Sequence, residues 1–110
     1  MNRLNKQDLL KRDNLIVEIL KRHRGLNNVI STKQVSKELA ENGYDLNVNT
    51  LPEKIKQIAF ERNLPICASN TKGYYWASCR ADLEHTIADL QGFYTALQEH
   101  IEHLQQFFIY

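Results

Sequence analysis

The stretch "ICASNTKGYYWAS", residues 66–78, sets the fold class of this chain. Two short runs of β-forming residues flank a polar turn closed by Gly73, the pattern of a β-hairpin. With Thr71 and Lys72 at the turn centre, Cys67 falls opposite Trp76 and Cys79 lies beyond the pairing. Alternation puts Tyr74 and Trp76 on one face of the strand and Tyr75 on the other, so at least one set is expected to pack on a core. A bridge between the cysteines would need another register, and neither has CxxC spacing or a histidine close in sequence. Both are expected to be free thiols, with no zinc or redox role.

Upstream, the sequence has the periodicity of three helices. Residues 6–23 place Leu9, Leu10, Ile16, Ile19 and Leu20 near one face, and Arg24-Gly25 ends the helix after a basic last turn that suits its dipole. Val29 and Ile30 then form a brief extended piece able to pair with the hairpin. A second helix opens at a cap, Ser31 or Thr32, carries Val35, Leu39 and Ala40 at helical spacing, and stops at Asn42-Gly43. A third takes Asn49 or Thr50 as cap with Pro52 in its first turn. Its core stripe is Leu51, Ile55, Ile58 and Ala59, and Thr50, Glu53, Lys54, Gln57 and Glu61 fall on the opposite side.

Downstream, one long helix follows from Asp82. Leu83, Ile87, Leu90, Tyr94, Leu97, Ile101, Leu104 and Phe108 recur at alternating spacings of four and three, with leucine at every d position of the heptad. So small a body cannot cover a helix of this length, and a second copy of the chain is the expected partner. Phe93 and Phe107 widen the apolar face, and no opposite charges pair across the flanks, so parallel, antiparallel and four-helix assemblies all stay open. Gly92 points outward, where it softens the helix without breaking the seam. His100 and His103 lack a third convergent ligand, so no metal is expected.

The 110 residues suffice for one domain with an appended element, divided here as 1–80 and 81–110. Residues 1–80 hold all fourteen Lys and Arg against eight acids, whereas residues 81–110 hold five acids and neither Lys nor Arg. The net charge of +1 thus conceals a basic body and an acidic tail, and only the body suits a polyanion. No apolar run approaches the roughly 18 residues of a membrane span, and no leader pattern opens the chain, so a cytoplasmic protein is expected. No glycine-rich phosphate loop, nucleophile elbow, metal motif or cofactor motif is present, so no enzyme is expected.

Helix, helix, turn, helix, hairpin is the order of a winged helix-turn-helix, here followed by a long coiled-coil helix, giving a mainly α fold with a small β-hairpin. The turn of about seven residues between helices two and three departs from the usual three or four. The segment "LPICASNTKGYYWA" resembles the winged helix of biotin-operon-repressor type, and more closely that of small winged-helix proteins of phages and mobile elements. Leu64, Pro65, Ile66, Cys67, Ser69, Gly73, Tyr74, Tyr75 and Ala77 carry the likeness; Ala68 stands where serine is usual, and the turn has one extra residue. The resemblance spans about residues 30–105 and implies binding of double-stranded DNA.

On that expectation the third helix presents Asn49, Thr50, Glu53, Lys54 and Gln57 to base edges in the major groove. Ser31, Thr32 and Lys33 open a helix whose N-terminus suits a phosphate. Lys72 is either a backbone contact or a lysine that keeps the hairpin from aggregating. The expected function is dimeric transcriptional regulation, most simply repression. The alternatives are a replication-associated origin binder and a winged-helix protein-interaction module or inhibitor that leaves DNA alone.

Overall fold

The computed structural model describes residues 5–69 and 73–109. Helix α1 spans Lys6–Lys21, α2 Thr32–Glu41, α3 Leu51–Arg62 and α4 Arg80–Gln105, with strands β1 (Ile66–Ser69) and β2 (Gly73–Trp76) between α3 and α4. A 3-10 turn at Leu26–Asn28 follows α1, and a second at Gln106–Ile109 tightens the end of α4. The fold is mainly helical, with one small antiparallel hairpin and a long C-terminal helix.

The core lies where α1, α2 and α3 converge on the hairpin. Ile16, Ile19 and Leu20 of α1 meet Val35 and Leu39 of α2 and Leu51, Ile55 and Ile58 of α3, with Trp76 among them. At roughly 1.5–3 kcal/mol per buried aliphatic side chain, this cluster is the main favourable term in folding. Leu9 and Leu10 do not join it; Leu10 is 56% exposed. The buried apolar residues of α1, Ile16 to Leu20, all lie in its second half, and Leu9 and Leu10 come before them. Ala40 is also exposed, because α2 ends within one turn of it.

Caps explain the helix boundaries. Asn5 accepts from the Asp8 amide at 2.9 Å, and Ser31 from the Gln34 amide at 3.1 Å. Thr50 occupies the cap position of α3, yet its side chain caps nothing. The turn is instead set by Asn47, whose Oδ1 accepts from the Asn49 amide at 2.8 Å and whose carbonyl accepts from Thr50 Oγ1 at 2.8 Å. The long connection between α2 and α3 is therefore ordered: Tyr44 and Leu46 pack on the core, and Ser36 Oγ donates to the Leu46 carbonyl at 2.9 Å.

The hairpin register differs by one residue from the expected one. Cys67 pairs with Tyr75, Ile66 with Trp76 and Ser69 with Gly73. A three-residue connection replaces the two-residue turn, and this puts Cys67 and Tyr75 on one face. The reason lies at Gly73, which has φ 131°. A Cβ there would collide with the Ile30 carbonyl, so β2 comes this close to Ile30 only at a glycine. Ile30 and Tyr74 exchange both backbone hydrogen bonds at 2.8 Å, as the extended piece at Val29–Ile30 suggested. The Gly25 amide donates to the Trp76 carbonyl at 2.8 Å, and the Trp76 amide to the His23 carbonyl at 2.7 Å. The segment 23–30 thereby covers the second edge of β2. Both cysteines are free, Cys67 buried and Cys79 exposed.

Candidate nucleic-acid interface

The two faces of the hairpin have different partners. Tyr74 and Trp76 turn toward the α1–α3 core, and Lys21 Nζ stands 5.8 Å from the centroid of the Trp76 ring. Tyr75 is fully buried on the other side, beneath the first turns of α4. Its hydroxyl donates to the Asp82 carbonyl at 3.1 Å and lies 2.8 Å from Thr86 Oγ1. Burial raises the Tyr75 phenol above its ordinary pKa, against the lowering effect of the Thr86 hydrogen bond. The aromatic row is therefore structural, with Tyr75 joining the hairpin to α4.

Asp82 completes that joint. Its Oδ2 accepts from the Ser78 amide and the Ser78 hydroxyl, both at 2.8 Å. These hydrogen bonds hold its carboxyl below the usual range. An aspartate in the first turn of α4 also matches the positive end of the helix dipole. The chain thus enters α4 at a fixed angle.

Around α3, successive residues turn by about 100°. Asn49, Thr50, Glu53 and Gln57 are exposed, with Gln57 Nε2 donating to Glu61 Oε1 at 3.0 Å. Lys54 differs: its Nζ lies 3.3 Å from Asp13 Oδ2 on α1, and only 23% of its side chain is exposed. Asp13 also binds Arg12 at 3.2 Å. Lys54 therefore ties α3 to α1, and its reach toward a ligand would require breaking that pair. On α2, Ser31 is engaged as the cap, Thr32 is half-buried, and exposed Lys33 and Lys37 stand one turn apart. Lys72 lies outside the described residues.

Pro52, Lys56, Ala59 and Phe60 line a second flank of α3, which the sequence reading did not single out. Phe60 is 76% exposed, with Lys56 Nζ 5.8 Å from its ring centroid. Between this flank, the hairpin and α4 lies a predominantly apolar groove of about 300 Å³, lined also by Ile66, Tyr74 and Leu90. An aromatic one residue beyond a core stripe is the signal that marks Phe60. The signal for Asn47 is an Asx residue three positions before the presumed cap.

No protein-family model matches the chain, and no curated protein or solved structure matches it. Among the described residues, no group of three His, Cys, Asp or Glu side chains is placed to hold a metal ion, and no helix is long and apolar enough to cross a membrane.

Proposed function

We propose that the chain is a dimeric DNA-binding protein, with α2 and α3 as a helix-turn-helix, the hairpin as its wing and α4 as the dimerisation helix. The observation that carries this is the start of α3. Asn49, Thr50, Glu53 and Gln57 stand exposed there, within residues 1–80, which hold all the lysines and arginines of the chain. Asn and Gln bond adenine edges, and Glu accepts from cytosine. Lys33 and Lys37 supply phosphate contacts beside the α2 N-terminus, which a reader needs for register on the duplex. With Lys54 committed to Asp13, less affinity comes from α3 itself, which increases the value of joining two weak readers through α4. The job is regulation by occupying a site, in a phage or mobile-element setting, with origin marking as the variant of the same chemistry.

The deciding experiment is retention of sheared genomic DNA at about 0.15 M salt, followed by sequencing of what is retained. A shared, two-fold-related motif is expected. Gln57→Ala should relax the motif at one position, whereas Lys33→Ala should weaken binding to every sequence. Retention without a motif would leave only a non-specific DNA protein, and no retention would remove the DNA reading. Phe60 favours a second reading, a protein-docking module, since a large exposed aromatic beside an apolar groove is unusual on a surface built only for phosphates and bases.

A further inference from the structure

The seam of α4 has no partner among the described residues of the chain. Ten large apolar residues from Leu83 to Phe108, eight on α4 and two on the 3-10 turn that ends it, are 40–82% exposed, and among the described residues the hydrogen bonds from α4 to the hairpin come from its first turns. At about half exposure each, they offer on the order of 1,000 Å² per copy, above the roughly 800 Å² per partner of a standard interface. The dimer proposed above leaves its direction open, and the groove beside Phe60 supplies it.

Resting on that dimer, we infer that the two α4 helices pair antiparallel, and that the partner's Phe107 closes the apolar groove between α3, the hairpin and α4. Leu83 then faces the partner's Phe108, Ile87 the partner's Leu104, Leu90 the partner's Ile101, and Tyr94 the partner's Leu97. All eight seam positions are filled, and each aromatic meets a leucine. A parallel pair would set Tyr94 against Tyr94 and Phe108 against Phe108 at the axis, where paired aromatics crowd a two-stranded seam.

The g positions that flank the seam are Thr86, Phe93, His100 and Phe107, and in an antiparallel pair these flank one another, which brings the partner's Phe107 beside Thr86. Thr86 and Leu90 are the α4 residues that line the groove, so seam and groove form one continuous apolar strip. Phe107 is 56% exposed, with its ring edge-on to His103 at 5.5 Å between centroids. A parallel pair would leave both the groove and Phe107 in water.

Charge agrees. Each body carries an excess of six positive charges, and each tail is acidic. Parallel pairing sets the two bodies side by side. Antiparallel pairing separates them by about the 39 Å length of a 26-residue helix, several screening lengths at physiological salt, and lays each acidic tail beside the other copy's basic body. Glu53 stands at the edge of the groove, while Thr50, Gln57 and Glu61 lie further round α3, on the flank toward α1, and remain open to DNA.

The test uses the full chain with Cys79→Ser and the buried Cys67 retained. Leu83→Cys and Phe108→Cys variants are oxidised mildly, alone and mixed. Disulfide-linked dimer is expected only in the mixture. Linkage in either variant alone, or in none of the samples, would overturn the antiparallel register. Sedimentation of the unmodified chain separates the two levels: a monomer throughout would remove the dimer itself. A double-mutant cycle reads the groove without cysteines. Phe60→Ala and Phe107→Ala should each raise the dimer Kd at least about threefold, and together by less than the product. Phe60 is exposed, so its loss spares the fold, and an unchanged Kd would sink the seating of Phe107.

Discussion

The body and α4 are built from the same kind of pattern and end in opposite states. From Ile16 of α1 through α2 and α3, the leucines and isoleucines of the core stripes reach full burial, as at Ile16, Leu39 and Ile55. In α4 the same residue types, in a more regular repeat, stay about half exposed from Leu83 to Phe108. The body has several elements converging on one centre, so each stripe finds another. α4 leaves the body after its contact with Tyr75 and Thr86, and its remaining length has only solvent or another molecule beside it. Periodicity says that a face is to be buried; the arrangement of neighbours says against what, and whether within one chain.

The sharpest way to break the body is Gly73→Ala. The added Cβ meets the Ile30 carbonyl at a φ of 131°, and neither backbone can yield without losing the Ile30–Tyr74 hydrogen bonds. A loss of about 3 kcal/mol or more is expected in denaturant titration, enough to unfold a marginal domain. A native-like midpoint would mean that the approach of β2 to Ile30 is softer than its geometry.

Leu39→Ala and Leu97→Ala test the contrast directly, since both shorten a leucine on a helix. Leu39→Ala should cost about 2–5 kcal/mol at every protein concentration, because it opens a cavity in the core. Leu97→Ala should leave the dilute chain unchanged and lower Tm only where copies associate. Equal, concentration-independent losses would mean that α4 folds back onto its own body.

Asn47→Ala asks whether the long α2–α3 connection is held by its Asx turn. A loss of about 1 kcal/mol is expected, as for other capping residues, measured by thermal unfolding. Thr50→Val should cost less, because its hydroxyl caps no helix amide.

The smallest shift is expected at the joint between the two regions. Asp82 has a depressed pKa, so the stability it contributes is present above the ordinary carboxylate value of about 3.9 and lost as pH falls through its lower folded value. Asp82→Asn should therefore lower Tm at pH 7, with the gap to the native chain closing in acid. A gap that persists in strong acid, once the carboxyl is protonated, would assign the effect to shape, not to charge.

The residues themselves determined much of this. Asn42 and Gly43 stop α2 where turn chemistry requires, whereas α1 ends at Lys21, two residues before the expected stop, and Gly25 opens the 3-10 turn that follows. Ser31 caps α2 because its hydroxyl matches an unpaired amide, and the apolar repeats put helices at Lys6–Lys21, Thr32–Glu41, Leu51–Arg62 and Arg80–Gln105. These are local effects, carried by a few neighbouring residues. What the tertiary structure decided is non-local. Gly73 pressing on Ile30 set the strand register, Asp13 on α1 engaged Lys54 on α3, and the first turns of α4 buried Tyr75. The first two join residues far apart in the chain, and Tyr75, though close to Asp82 and Thr86 in sequence, is buried only where the hairpin and α4 close on each other. All depend on the packing of the body, which no local run of sequence encodes.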